Sequence, residues 1–505
     1  MVGYATPPLL PSHLRGDIIM RFSFLLAIAT VTVGLPAQAA DPPALTPIQK
    51  DMIAHLDTLR ADLVNMNQEI WTYAELGLEE HRSAARLAGT LRRAGFKVKE
   101  GVSGMPTAFV AEYGSGKPII GILAEYDALP ELSQQATGDR KPVSGRTTGH
   151  GCGHSALGTA AVGAALAVKE VYDKHKLKGT IRLYGTPAEE TLIGKVYMSL
   201  DGQFNDLDAC LHWHPGSKNR IWYSSSKACI SAKFTFTGLA AHASGSPDKG
   251  RSALKAVELT DIGINFMREH VKEDSRIHCV ITNGGGQPNV VPATAQVWYY
   301  CRANAHEDAA ANFDWMTEIA EAAAKMTRTK MQLQIDTDCH EIIPNRPISQ
   351  VIYKNFQKVG VPKFDQADLD LARQLQAPLR ADFGLKEEKA LHDTLDVLPE
   401  KPYSPDGGST DVGDISWHVP TSGFGSACFA AGSPGHSWQN VAAIGSPIGH
   451  KGMLVAAKVL ALSAVDLLQD PQALKDAKAD LDAQMKNRKY TTKIPAGQKA
   501  PKTIR

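Results

Sequence analysis

Between residue 41 and about residue 226, short apolar runs such as PIIGILAEY, TIRLYG and DACLHW alternate with alanine-rich stretches of helical length, of which Ala156 to Val171 is one. Strand-length apolar runs separated by helices predict an α/β fold with a mostly parallel, helix-covered sheet. From Ala228 to about Asp338 the rhythm changes. The order becomes strand (CISAKFTFTG), helix (Arg251 to His270), strand (RIHCVITN), strand (AQVWYYCRA), helix (Glu307 to Met326) and strand (MQLQIDT), which is the ferredoxin-like β-α-β-β-α-β unit. Beyond about Cys339 the chain returns to Gly-rich loops and ends in the apolar helix Lys451 to Leu468, completing the first domain around the insertion. The expected layout is a main domain in two parts, 41–227 and 339–480, an inserted domain at 228–338, and a basic tail at 481–505.

Potential ligands concentrate where the strand-like runs end. GHGCGHSALG, Gly149 to Gly158, places His150, Cys152 and His154 at the mouth of the alanine-rich helix. Thiolate and imidazole together favour zinc or a neighbouring first-row metal over calcium or magnesium. Two apart on an extended segment, Cys152 and His154 can point to one side, and the surrounding glycines allow close backbone approach. Taken alone, the stretch reads equally well as a buried thiol beside a capping histidine. Glu189 and Glu190 follow TIRLYG within TPAEET; adjacent carboxylates repel, so a strand end keeps them where something cationic or catalytic uses them. His212 and His214 in DACLHWHPG share one face of a strand, and His436 sits in the Gly-rich GSPGHSWQN, suited to a site loop. Each is ordinary singly, but four such elements at the strand ends of one open α/β pattern point to a site. Two metals held by thiolate, imidazole and carboxylate can bridge a water, lower its pKa and polarise an amide carbonyl, with one glutamate left as the base.

Composition narrows the class. A net charge of +1 and 43% hydrophobic residues over 505 positions describe a globular chain with substantial cores, and no basic patch argues for nucleic acid. The exception, Lys486 to Arg505, has seven basic residues and no acid, and is expected to be a solvated, frayed terminus. From Met20 the sequence MRFSFLLAIATVTVGLPAQA has a charged start, an apolar middle and an Ala37-Gln38-Ala39 ending. That pattern predicts a signal peptide over residues 20–39, too short and wrongly flanked for a membrane span, and a periplasmic or secreted mature protein. Seven scattered cysteines, one of them assigned to metal, predict no disulfide framework, although an exported chain has room for one pair.

From about Ile53 to Leu468 the chain resembles the M20 metallopeptidases and amidohydrolases. The resemblance rests on nine motifs in order: AELGLEEHRSA, AEYDALPELSQ, GHGCGH, TPAEET, LHWHPG, GLAAHASGSPDKGRSAL, GGQPNVVPATA, STDVGDISWHVPT and PGHSWQ. Within the family it is similar to the branch of p-aminobenzoyl-glutamate hydrolase and the N-acyl-amino-acid amidohydrolases. The resemblance implies two divalent metal ions, Zn or Mn, and hydrolysis of the amide bond of a small N-acyl or N-aroyl amino acid such as p-aminobenzoyl-glutamate. It also implies that the insertion is a lid and dimerisation domain, serving a homodimer or a pairing with a paralogous second subunit.

By the same resemblance Glu189 is the general base, and Cys152, His154, Glu190, His214 and His436 are the metal ligands. Asp127 would orient a ligand imidazole, and His150 has no ligand counterpart. His212 remains open beside His214, because the acyl-amino-acid branch has its histidine at that position; the LHWHP segment as a whole favours His214. Glu125 stands where more distant members use a histidine ligand, and reads equally as a solvated strand end. His242 in AAHAS matches a histidine that reaches into the partner subunit's site to stabilise a developing oxyanion. Asn289 with Arg302 resembles a group that anchors a substrate carboxylate, with a plain surface arginine as the other reading of Arg302. A dipeptidase or carboxypeptidase of the family, and a non-catalytic metal-binding relative, are the alternatives.

Overall fold

The computed structural model describes residues 43–403, 405 and 407–503; the segment read as a signal peptide, residues 20–39, lies outside them. The apolar runs of the first half become β1 (Lys97–Glu100), β2 (Phe109–Ser115), β3 (Ile119–Ala124), β4 (Gly179–Gly185), β5 (Ala209–Gly216) and β6 (Arg220–Ile221). The insertion supplies β7 (Ala228–Thr237), β8 (Arg276–Asn283), β9 (Thr294–Ala303) and β10 (Lys330–Cys339), and β11 (Thr421–Ala427) returns to the first sheet. That sheet has seven strands in the order β1-β2-β4-β3-β5-β11-β6. Its centre, β4, β3, β5 and β11, is parallel, while β1, β2 and β6 extend the edges in antiparallel fashion. β3 is buried at every residue, as a strand covered on both faces must be.

The helices His154–Tyr172 and Pro447–Gln469 pack on each other and on the central strands. Their many alanines and glycines let the backbones approach closely. Ser446 caps the second, accepting from the Ile448 N–H, with Pro447 in the first turn. Among the described residues this is the one helix long and apolar enough to cross a membrane, and its apolar stretch is mostly buried in the protein.

The insertion forms a separate antiparallel sheet in the order β10-β7-β9-β8, with the helices Ala253–Met267 and His306–Thr327 packed on it. Burial alternates strictly along β9, so the helices cover one face and the other stays open. All seven cysteines are free thiols.

The tail departs from the expected frayed terminus. Tyr490 stacks on His340 with ring centroids 4.2 Å apart and donates its hydroxyl to Asp414 at 2.7 Å. Lys493 pairs with Asp314 at 2.7 Å, Ile494 is buried, and the Gln498 amide donates to the Ile335 carbonyl and the Tyr197 hydroxyl. The basic residues are spaced by two apolar anchors, and charge alone hid them. Ending the chain at Met485 is expected to destabilise it by at least the roughly 1.5–3 kcal/mol of one buried isoleucine, read as a lower urea midpoint; an unchanged midpoint would show that the tail contributes nothing to stability.

Candidate active site

The parallel strands deliver their C-terminal ends to one edge, and the residues singled out from the sequence cluster there. β3 leads into Glu125 and Asp127, β4 into the turn bearing Glu189 and Glu190, and β11 into the loop bearing His436, while β5 itself carries His212 and His214. Cys152 does not lie on an extended segment. It occupies a bend just before the helix that begins at His154. Gly153 makes the bend, at φ 85°, where a Cβ would also meet Pro215 and Phe429 at 3.0 Å or less. The turn leaves Cys152 beside the positive end of the helix, which favours a thiolate.

The carboxylate pair sits in the short turn Glu189–Thr191, between Ala188 at φ 56° and Leu192 at φ 60°. Left-handed backbone at non-glycine residues costs of order 1–3 kcal/mol each and has to be enforced by its surroundings. Two buried carboxylates do so: the Ala188 N–H donates to Glu80 Oε1 at 2.8 Å, and the Glu190 N–H to Asp127 Oδ2 at 2.9 Å. His436 is also left-handed, at φ 54°.

Cys152 Sγ lies 3.2 Å from His214 Nε2, and the other nitrogen of that ring is 2.6 Å from the Pro215 carbonyl. A ring that donates through Nδ1 presents an Nε2 lone pair to the thiol. In the same way His154 Nδ1 meets Asp127 Oδ1 at 2.8 Å, leaving Nε2 3.4 Å from Glu125 Oε2 and 3.8 Å from Glu189 Oε2. His436 Nε2 is 3.2 Å from Glu190 Oε2. The donor atoms fall into three groups, each within 4.8 Å: Cys152–His154–His214, Cys152–Glu190–His436 and Glu125–His154–Glu189. Cys152 belongs to the first two, as a thiolate shared by two cations would. Buried His154 Nε2, Glu190 Oε1 and Glu125 Oε2 have no hydrogen-bond partner, and such orphaned donors fit divalent metal ions.

Electrostatics follow the same logic. Burial opposes ionisation of Cys152, but His214 and His154 outweigh it and hold the thiol well below its usual range. Burial and then Glu125 raise Glu189 well above an ordinary carboxyl, against His154 and Lys195. Burial and then the Cys152 thiolate push Glu190 up to about 7, with His436 and His154 opposing. Hydrogen bonds to Cys152 and Glu190 push His436 up to about 11. These groups balance one another's charge with shared protons, a task that bound dications take over.

A cavity of about 400 Å³ opens over the cluster, lined also by Trp222, Ile342, Ser409 and Arg302. Arg302 is therefore no plain surface arginine: it donates to Ser409 Oγ at 3.1 Å, and its Nε is buried without a partner. His212 lines the cavity too, but its ring lies flat over Gly423, where a Cβ would come within 2.3 Å, and it belongs to none of the donor groups. Burial, then His214 and Lys195, push it down to about 3. His150 is buried 3.0 Å from the Ile70 carbonyl, outside the donor groups.

His242 and Asn289 lie elsewhere. They face each other in exposed loops of the insertion, joined by a hydrogen bond from the Ala243 N–H to the Asn289 carbonyl at 2.9 Å. Asn289 precedes β9 and Arg302 lies near its end. Strand rise separates the two by roughly 27 Å or more, so one subunit does not bring both to one carboxylate.

Glu125 is not a solvated strand end. It is buried, with Oε1 2.8 Å from the Lys195 ammonium, which in turn is 2.6 Å from Asp411. Sequence reasoning missed Lys195 and Asp411, although Asp411 lies inside the STDVGDISWHVPT motif.

Residues 225–328 match the family model described as a peptidase dimerisation domain. Over 464 residues the chain is 40% identical to one of the p-aminobenzoyl-glutamate hydrolase subunits of Escherichia coli (strain K12), covering 87% of this chain and 96% of the relative. It is 26% identical to the Xaa-Arg dipeptidase of Mus musculus, covering 85% and 91%. Among solved structures, an aminobenzoyl-glutamate utilization protein from Klebsiella pneumoniae superposes with a TM-score of 0.58 at 18% identity, covering 82% of this chain and 98% of that one. A Bacillus subtilis protein described as a dinuclear metal binding peptidase of the M20 family superposes with a TM-score of 0.53 at 17% identity, covering 82% and 99%.

Proposed function

This chain belongs to the M20 peptidase family, and from that premise we propose that it hydrolyses the amide bond of an N-acyl or N-aroyl amino acid such as p-aminobenzoyl-glutamate, with two divalent ions, Zn or Mn. The reading is carried by one arrangement: two donor groups that share Cys152, with Glu189 beside them and facing the same cavity. One ion would be held by Cys152, His154 and His214, the other by Cys152, Glu190 and His436. When bound, the ions supply carbonyl polarisation and an acidified water. Glu189 takes the proton from the attacking water at a carboxylate oxygen and delivers it to the leaving nitrogen. Asp127 fixes the His154 ring through Nδ1 and the backbone of Glu190 through its N–H. Arg302, at the cavity wall, binds the carboxylate of the amino-acid half.

His242 and Asn289 would complete the site from a second subunit. Support comes from the family of the insertion and from its exposed apolar surface at Phe266, Val280 and Ile281. The partner is a second copy or a paralogous subunit, and export through residues 20–39 belongs to the same proposal. Loss of those residues from the mature exported protein is the expected N-terminal sequencing result.

Metal analysis with a hydrolysis screen tests the reading. Turnover of N-aroyl-glutamates above that of Xaa-Arg dipeptides supports it; turnover of dipeptides alone favours a dipeptidase, a reading supported by the mouse relative. His214→Ala is expected to lose one of the two ions, whereas His212→Ala keeps both and loses stability through the hole left over Gly423. Metal content of the two purified variants decides between them, and a metal-depleted His212→Ala reverses the assignment.

A further inference from the structure

Trp222 stands just beyond β6, with its backbone N–H on the Gly423 carbonyl at 2.8 Å. Side chains alternate along an extended segment, so Ile221 and Tyr223 are buried while Trp222 turns to the cavity and stays half-buried. The indole stacks on the His214 ring at 27°, with centroids 5.3 Å apart, and meets the His212 ring at 5.3 Å and 64°. Gly425, paired with His214 in the register of β11 on β5, leaves room for it: a Cβ there would lie 3.4 Å from the indole nitrogen. Held by these contacts, the ring offers a fixed apolar surface, and a ligand that covers it costs little further side-chain freedom.

In an N-aroyl amino acid the aromatic ring is bonded directly to the carbonyl carbon, so the wall that receives it must adjoin the donor cluster. Trp222 does so through His214. The other indole lining the cavity, Trp213, is buried against Phe424 and donates to the Leu157 carbonyl, so it has no free face. Leu192, Ile342 and Val412 also line the cavity, but none of them is flat. The amino-acid carboxylate lies on the far side of the amide nitrogen, and Arg302, whose buried Nε has no partner, lines the same cavity. A flat apolar surface and a guanidinium in one cavity match the two ends of an N-aroyl amino acid, whereas a short alkyl acyl group would leave the indole uncovered.

We propose that Trp222 is a specificity-determining residue that stacks on the acyl half of the substrate and selects flat aromatic acyl groups over alkyl ones. The inference rests on the hydrolase reading above and narrows its substrate class to N-aroyl amino acids. The test compares N-benzoyl-glutamate with N-acetyl-glutamate on the metal-loaded full-length protein, as parent, Trp222→Leu and Trp222→Phe, with metal content measured for each. The parent should prefer the benzoyl compound. In Trp222→Leu, kcat/KM for that compound should fall on the order of 10-fold, mostly through KM, because the ring is bound alike in the ground and transition states. For the acetyl compound the change should stay below about 3-fold, and Trp222→Phe should keep most of the parent's preference. A parent without benzoyl preference overturns the inference, as does a Trp222→Leu variant that loses both substrates equally. Metal loss in that variant also overturns it, since the indole would then be a packing support for His214. A parent that hydrolyses neither compound fails the hydrolase reading itself. Calorimetric affinities of the parent and Trp222→Leu for the same two compounds then decide the stacking alone: a benzoyl preference confined to the parent supports it, and equal affinities overturn it.

Discussion

Glu189→Gln is expected to keep both ions and substrate binding while kcat falls by on the order of 10²–10⁴ and KM changes little. The amide is nearly isosteric, and the side chain is buried in a turn whose backbone is fixed by Glu80 and Asp127 rather than by the Glu189 carboxylate. Neither group that shares Cys152 includes Glu189, so neither loses a donor. What disappears is the oxygen that accepts a proton from water and returns it to the leaving nitrogen. Glu190→Gln should behave differently, because it removes a charged donor from the group with Cys152 and His436, and loss of metal should accompany loss of rate. Metal content and single-substrate kinetics of the two variants check the assignment. A metal-depleted Glu189→Gln, or one with near-normal kcat on N-acyl amino acids that the parent hydrolyses, reverses it.

Periodicity made the fold legible. RIHCVITN coincides with β8, and the order of runs in the insertion yields the observed antiparallel sheet, because strand and helix periods are local properties of the chain. The antiparallel edges of the large sheet were less legible. β1 and β6 are short and partly exposed, so they carry little apolar signal.

In the site, spacing placed donors on the right edge and could not choose among them. His212 and His214 share a strand face, and what separates them is non-local: Cys152 stands opposite one, Gly423 under the other. Glu125 shows the same limit. Its burial depends on Lys195 and Asp411, whose proximity comes from the parallel sheet rather than from neighbouring sequence. The bend at Cys152 arises from the single left-handed residue Gly153, a conformation that glycine permits and no spacing rule announces. Asn289 and Arg302 were grouped by resemblance, and their positions near opposite ends of β9 make that grouping a question about two subunits.

Cys152→Ser is expected to lose both ions together with turnover, a larger effect than removal of any single histidine ligand. His436 belongs to one donor group and His214 to another, so each alanine variant should keep one ion, whereas Cys152 belongs to both. A serine hydroxyl stays protonated at neutral pH and is a far poorer donor to a dication than a thiolate. In the metal-free site the thiolate also takes part in charge balance, since it faces His214 directly and raises the proton affinity of His154 and His436. Metal loss should lower stability as well, because ions that bind the folded state at 100 times their Kd contribute about 2.7 kcal/mol each. The expected profile is therefore near-zero metal per chain, no measurable hydrolysis, and a melting temperature that no longer responds to added Zn²⁺ or Mn²⁺. Full metal occupancy with a parent-like melting response in Cys152→Ser would show that the ions are not joined through this thiol, and the two groups would then have to be treated as separate sites.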